Sequence, residues 1–199
     1  MFTQFYNESI RRIVIGFGSL FNDIRVVRKN ADGTTKETIR IPLSYGPKEK
    51  FIRRITETSS ISDDSKVITL PQIGFDITGI VYDPARKTNK LRKRKADTTD
   101  GLTYSYNYNE VPYNITFGLY AFTRNHDDNL QIIEQILPYF TPEFIVSLKI
   151  NSINDKIDVP ITLNGVSTID EYEGDFDSRR NITSSLDFTA KTYVYGPAK

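Results

Sequence analysis

His126 is the one histidine of the chain, and it marks the first place where side chains could do chemistry. Asp127 and Asp128 follow it directly, so this group could in principle ligate a metal ion or transfer a proton. A catalytic zinc ion usually takes three protein ligands, commonly with more than one histidine. The aspartates also suit the first turn of a helix, where the helix dipole favours negative charge. The pattern therefore favours a helix start over a catalytic or metal site, with an all-carboxylate magnesium site left open.

A second candidate is the glycine pair Gly16 and Gly18, which follows the apolar residues Ile13–Ile15 like the turn of a dinucleotide-binding fold. That motif needs a third small residue so that the next helix can close on the strand, and Phe21 stands there instead. The apolar residues recur at helical spacing. We therefore predict an amphipathic helix over residues 8–21, capped by Asn7 or Ser9, and no cofactor site.

The composition excludes several classes of protein. The chain has 199 residues and no cysteine, which rules out disulfides, thiolate metal sites and a cysteine nucleophile. A formal net charge of +1 argues against a surface committed to nucleic acid or to an anionic membrane. The first residues lack the pattern of a secretory signal, and no apolar run approaches the roughly 20 residues that span a bilayer. We expect a soluble protein that folds in a reducing cytoplasm.

Positive charge is concentrated in one short run, for which a solvated loop is the plain interpretation. The functional alternative is an arm that contacts phosphate or an acidic protein surface, either at a partner or in the lumen of a ring. Tyr104, Tyr106 and Tyr108 follow, with a spacing that fits either stacking on bases or one face of a strand. The cations of the run are Arg86, Lys87, Lys90, Arg92, Lys93, Arg94 and Lys95.

Negative charge is concentrated nearer the C-terminus, just before Arg179 and Arg180. A basic and an acidic loop on a near-neutral chain would suit head-to-tail contacts between copies in a ring. Residues 84–103 and 164–178, which hold the two runs, are polar and lack periodicity, and we predict that they are extended loops. The acidic residues are Asp170, Glu171, Glu173, Asp175 and Asp177.

Periodicity predicts the remaining elements. Asp32-Gly33 between two apolar runs predicts a β-hairpin, and residues 48–56 a short basic helix. A helix is predicted from Asp127 to Leu137, with Leu130, Ile133 and Leu137 as its apolar stripe, widened by Ile132 and Ile136. Alternation predicts strands at 73–81, 114–121, 144–150, 157–163 and 182–188. Together these elements predict one α+β domain over residues 1–199, a mostly antiparallel sheet flanked by two or three helices.

One stretch is recognisable. Phe122-Thr123-Arg124, then Asp127-Asp128, then the run from Gln131 to Phe144 closely resemble the tail sheath stabiliser, or tail completion, proteins of contractile-tailed bacteriophages. Weaker blocks occur in the family's order over most of the chain. They include Phe5–Asn7, Ile41-Pro42 with Tyr45, Leu70-Pro71 through Tyr82, and Ser178–Arg180. The segments 86–95 and 151–177 depart from the family, so no partner contacts carry over there.

The resemblance implies a tail-terminator-like fold and a hexameric ring. Such a ring sits on the last sheath and tube layers, holds the sheath extended and presents a surface to the neck proteins. Genomic DNA passes through its lumen without specific recognition. The resemblance implies no catalysis, cofactor, metal or membrane, and it implies a place at the tail–neck junction of a virion assembled in the host cytoplasm. The alternatives are a neck or head-completion protein that contacts the portal, a DNA-binding accessory protein that uses the basic loop, and a metal-dependent hydrolase.

Overall fold

The computed structural model describes residues 4–57, 70–89, 91, 93–97, 104–149, 156–171 and 181–196. These residues form three α-helices, ten strands and two short 3₁₀ turns, at Pro84–Arg86 and Leu137–Tyr139. The helices are α1 (Ser9–Leu20), α2 (Lys48–Glu57) and α3 (His126–Ile136). The strands are β1 (Arg25–Lys29), β2 (Thr35–Arg40), β3 (Leu43–Tyr45), β4 (Gln72–Tyr82), β5 (Lys93–Asp97), β6 (Tyr104–Tyr108), β7 (Val111–Thr123), β8 (Glu143–Lys149), β9 (Lys156–Glu171) and β10 (Asn181–Val194).

Six strands form one sheet in the order β3-β4-β7-β10-β9-β8. Every neighbouring pair in it is antiparallel except β3–β4. Two further ladders stand outside this sheet, the hairpins β1–β2 and β5–β6. The predicted α+β class, the mostly antiparallel sheet, the three helices and the Asp32-Gly33 hairpin are therefore confirmed.

The main core lies between α1, α3 and the inner face of the sheet. Phe17 of α1 is fully buried, and its ring stacks on Phe117 with centroids 4.3 Å apart. Gly16 and Gly18 allow this close approach, because a Cβ at Gly18 would lie 2.7 Å from the Phe75 ring and one at Gly16 would lie 2.8 Å from Leu148. The two glycines that resemble a cofactor motif thus serve helix-on-sheet packing.

A smaller core lies on the outer face of the sheet, where α2 packs on β4 and β7. Phe51 is buried against Phe122, with ring centroids 5.6 Å apart, and Tyr120 completes the cluster. The ring of Phe51 sits over Gly74, where a Cβ would approach to 2.4 Å. The predicted basic helix therefore exists and covers one end of this face.

The prediction for the apolar face of α3 was wrong for two leucines and confirmed for two isoleucines. Leu130 and Leu137 are 52% and 43% exposed, whereas Ile132 and Ile136 are buried. The side chains next to them, Asp128 and Asn129, are buried as well. Both sets of isoleucines and leucines follow helical spacing, so periodicity alone could not choose the row that faces the sheet.

The two predicted loops are partly strands, which corrects the sequence interpretation. Residues 93–97 form β5, and β9 continues through residues 164–171. Both segments depend on pairing with β6 or β10, and residues 164–170 are exposed on both faces, so no apolar alternation marks them.

The cap prediction for α1 also fails. Glu8 precedes α1 at φ 54°, and the Asn7 amide instead donates to the carbonyl oxygens of Tyr195 and Gly196 at 3.1 and 3.0 Å.

Candidate assembly surfaces

The start of α3 is a structural junction. His126 and Asp127 are exposed, whereas Asp128 is buried and accepts a hydrogen bond from Arg28 Nη2 of β1 at 3.1 Å. Arg28 also donates to Glu37 of β2 at 2.9 Å, and the hydrogen bond to Asp128 is the main cause of its raised pKa. In the part of the chain that the structure describes, no three histidine or carboxylate side chains are grouped to hold a metal ion. Asp128, the third residue of this group, therefore joins the β1–β2 hairpin to α3.

Two glutamines of α3 extend this junction, and the sequence interpretation gave them no role. Gln131 accepts from the Val27 amide at 2.9 Å and donates to the Val27 carbonyl oxygen at 3.1 Å. Gln135 does the same for Arg25, at 3.3 and 2.7 Å. The spacing of residues four apart on a helix matches the spacing of residues two apart on a strand. Each glutamine can therefore bond both the backbone amide and the backbone carbonyl oxygen of one strand residue. The helix thus replaces a strand partner for β1, and we call Gln131 and Gln135 the glutamine clamp.

Arg86, the first residue of the predicted basic run, is committed inside the domain. Its Nε donates to Asp83 Oδ2 at 2.8 Å, and its Nη2 donates to Asn114 Oδ1 at 2.7 Å and to the Tyr113 carbonyl oxygen at 3.2 Å. The guanidinium lies over the Tyr193 ring, 5.1 Å from its centroid. The hydrogen bond from Arg86 is also the main cause of the lowered pKa of Asp83. Arg86 therefore ties the root of the β5–β6 hairpin to the sheet.

The other basic residues lead into that hairpin, which we call the arm. Lys87 is exposed, and β5 holds three consecutive cations, Lys93, Arg94 and Lys95. Lys90 and Arg92 lie outside the described residues. The register sets Lys93, Lys95 and Asp97 directly opposite Tyr108, Tyr106 and Tyr104, on one face of the ladder. The Lys93 ammonium lies 5.4 Å from the centroid of the Tyr108 ring.

The acidic run is only partly described. Asp170 and Glu171 end β9, while Glu173, Asp175 and Asp177 lie outside the described residues. The sheet register sets this end of β9 beside Asn181 and Ile182 of β10, which is level with Thr123 of β7. The arm leaves β4 and β7 at their other end. The described end of β9 and the root of the arm therefore lie at opposite ends of the sheet.

The outer face of the sheet carries two carboxylates, Asp76 and Asp187, which lie too far apart to act as a catalytic pair. Asp76 of β4 and Asp187 of β10 pair with opposite sides of Gly118 on β7, so two strand spacings separate them, on the order of 10 Å. Burial raises the pKa of Asp76, and burial together with that neighbouring carboxylate raises the pKa of Tyr120 to about 12. Groups this far apart cannot share a proton as a catalytic dyad does.

A cleft among the described residues has a mostly apolar lining. It has a volume of about 520 Å³ and lies where α1 and α3 end, with Phe21, Ile136 and Phe144 among its walls. Asp23 and Glu134 also line it, and neither has a nucleophile or a base beside it in the cleft. Among the described residues, no helix is both long and apolar enough to cross a membrane.

Comparison with known proteins decides the family. The sequence model of the T4-like virus Myoviridae tail sheath stabiliser matches residues 4–199. The chain belongs to this tail sheath stabiliser family. It is also 36% identical, over 204 aligned residues, to the tail completion protein gp15 of Enterobacteria phage T4, an alignment that covers 99% of this chain and 74% of the relative. The resemblance found in the sequence is confirmed, and the glutamine clamp lies inside its most recognisable block.

Proposed function

We propose that this tail sheath stabiliser forms a ring, hexameric in the assembled tail, that ends the tail tube and sheath and joins the tail to the neck. The observation that carries the proposal is the match to the family over residues 4–199. The name of the T4 relative, a tail completion protein, agrees with a role at the end of tail assembly. The protein would act in the virion through its shape and its contacts, without catalysis or a cofactor.

The charged surfaces support assembly through repeated modest contacts. Closing a ring makes its last contact intramolecular, so the effective concentration at that contact far exceeds that of free subunits. Docking on a symmetric tail repeats each contact around the axis. The top layer of an extended sheath would then be held by many weak interactions, and genomic DNA would pass through the lumen without specific recognition.

The direct test is to disable the gene in the phage that carries it and to image the tails. The proposal predicts tails whose sheaths contract or shed layers and which fail to join heads, with both defects corrected by supplying the protein. Finished tails with stable sheaths and attached heads in its absence would contradict it.

Two alternatives predict different partners. A neck protein that contacts the portal would bind portal rings and ignore sheath ends in pull-down experiments, whereas our proposal predicts binding to sheath ends. A DNA-binding protein that used the arm would lose duplex affinity by orders of magnitude between low and moderate salt, as counterion release requires.

A further inference from the structure

Two apolar features of the described chain face solvent, the cleft where α1 and α3 end and the short segment that precedes α1. We propose that Phe5 and Tyr6 of one copy dock into the cleft of a second copy, beside Tyr139. The inference rests on the ring in the proposed function and names a contact between neighbouring copies in that ring.

The segment before α1 holds two aromatic side chains that the domain does not pack. Phe5 is 50% exposed and Tyr6 is 72% exposed, and among the described residues neither belongs to either apolar core. Asn7 anchors the segment, because its amide donates to the carbonyl oxygens of Tyr195 and Gly196. Aromatic side chains on an anchored backbone are typical of the residues that carry the affinity of a protein interface.

The cleft suits side chains of this kind. Its volume is about 520 Å³, and its walls include the buried side chains of Phe21 and Ile136. Tyr139 also lines it and is 67% exposed, so one aromatic ring of the wall is open to a partner. Apolar pockets of this size accept aromatic groups, which gain both buried area and ring contacts there.

One chain holds its two rings at the other end of α1 from its own cleft. The helix begins at Ser9, just after the segment, and ends at Leu20, which lines the cleft. Its 12 residues extend about 18 Å at 1.5 Å per residue. Phe5 lies two residues from the Asn7 anchor, and two residues of extended chain span at most about 7 Å. A head-to-tail contact between copies joins the two features, and contacts of that type generate rings.

Unpaired charges at the two ends of α1 have opposite sign. Near the segment, Arg12 donates to the Lys149 carbonyl oxygen at 2.7 Å, and Lys149 is opposite Lys156 in the β8–β9 ladder. At the other end, Glu134 lines the cleft and Glu143 directly precedes a lining residue. Within the described part of the chain, these two lysines and two glutamates are exposed and form no ion pair. Such complementarity steers copies head-to-tail and disfavours contact between like ends.

Truncation of the rings is the first test, with tails that lack the protein as the template for assembly. Phe5→Ala with Tyr6→Ala should raise the half-saturating concentration on the order of tenfold, because aromatic anchors carry much of the affinity of an interface. The urea midpoint of this variant should equal that of the unmodified protein, since both rings are exposed. Val166→Ala with Ile169→Ala removes exposed apolar side chains of β9, and this matched control should assemble normally.

Charge reversal tests the direction of the contact. Glu134→Lys with Glu143→Lys should weaken assembly about threefold at low salt, and Lys149→Glu with Lys156→Glu should do the same. The variant that combines all four changes should recover most of the loss. Lys29→Glu with Lys36→Glu, on the exposed β1–β2 hairpin, is the charge control and should assemble normally.

Crosslinking tests the same contact without removing either ring. Because the chain has no cysteine, Gln4→Cys and Leu137→Cys each introduce a single thiol, beside the rings and beside the cleft. When copies of the two variants are mixed on tails, a short bis-maleimide should join them into covalent dimers. A mixture of Gln4→Cys and Ile169→Cys copies should give no dimer. A double variant that crosslinks only within one chain would place the rings in that chain's own cleft and overturn the inference.

The outcomes separate this inference from the proposed function. Normal assembly without the two rings, or no dimer between Gln4→Cys and Leu137→Cys copies, overturns the inference and leaves the ring intact. Crosslinking of Leu137→Cys to a sheath or neck protein instead of a second copy would assign the cleft to that protein, which also overturns it. Failure of the unmodified protein to form rings on tails would overturn both.

Discussion

The domain carries two short hairpins, β1–β2 and β5–β6, and they differ in how the described residues join them to the rest of the domain. Val26 of β1 is fully buried, the glutamine clamp pairs the backbone of Arg25 and Val27, and Arg28 reaches the buried Asp128. The arm is tied at its root by Arg86 and shares no ladder with another described strand.

The difference shows that a hairpin becomes part of a domain when its outer backbone groups find partners. In β1 those partners are side chains of a helix, which is why no third strand is needed. Among the described strands, β5 and β6 of the arm pair only with each other. We expect the first hairpin to govern the stability of the fold and the second to govern assembly.

Arg28→Ala should give the largest loss of stability, because it leaves the carboxylate of Asp128 buried without its partner. The free energy of unfolding should fall by about 3 kcal/mol, as measured by urea denaturation at neutral pH. Lys29→Ala, one residue further along and exposed, should change it by less than about 0.5 kcal/mol. Equal effects of the two variants would show that the junction at Asp128 does not hold the hairpin.

Removing the clamp should have the next largest effect. Gln131→Ala with Gln135→Ala removes the helix partners of both strand residues, at a cost of about 1 kcal/mol for each glutamine. Hydrogen exchange at the amides of Arg25 and Val27 should accelerate, because those amides donate to the two glutamines. Glu134→Ala on the same helix is the control, and unchanged protection in the double variant would contradict the clamp.

The pKa values of two aspartates should distinguish the root of the arm from the turn of the β1–β2 hairpin. Hydrogen bonds from Arg86 lower the pKa of Asp83, and hydrogen bonds from Thr34 lower the pKa of Asp32 in the β1–β2 turn. A lowered pKa contributes stability above the unfolded pKa, and that contribution is lost as pH falls through the folded pKa. In carboxyl NMR titrations, Arg86→Gln should raise the pKa of Asp83 and leave that of Asp32 unchanged. A matching shift at Asp32, or none at Asp83, would contradict this assignment.

Changes within the arm should have the smallest effect on the isolated domain. Arg94→Ala with Lys95→Ala should alter the free energy of unfolding by less than about 0.5 kcal/mol, since among the described strands β5 shares a ladder only with β6. Assembly on tails should weaken in the same variant. A stability loss comparable to that of Arg28→Ala would mean that the arm belongs to the fold.

The sequence predicted the elements in which apolar residues recur at the spacing of a buried helix face or strand face. Helix α1 and strands β4, β7 and β10 pack on the core, so their periods are visible in the chain. The sequence placed Ile132 and Ile136 in the apolar face of α3 but also included Leu130 and Leu137, because leucine and isoleucine occupy adjoining rows of the helix. Strand β5 and the end of β9 were missed because no apolar alternation marks their sequences. The clamp leaves one readable signal, which is two glutamines four residues apart on one helix.

The central claim is that copies of this tail sheath stabiliser form a closed ring that ends the tail tube and sheath. A cryo-EM reconstruction of the finished tail tests it most directly. We predict a closed ring of this protein on the last layer of the sheath. A finished tail in which this protein forms no ring, or lies away from the end of the sheath, would contradict the account.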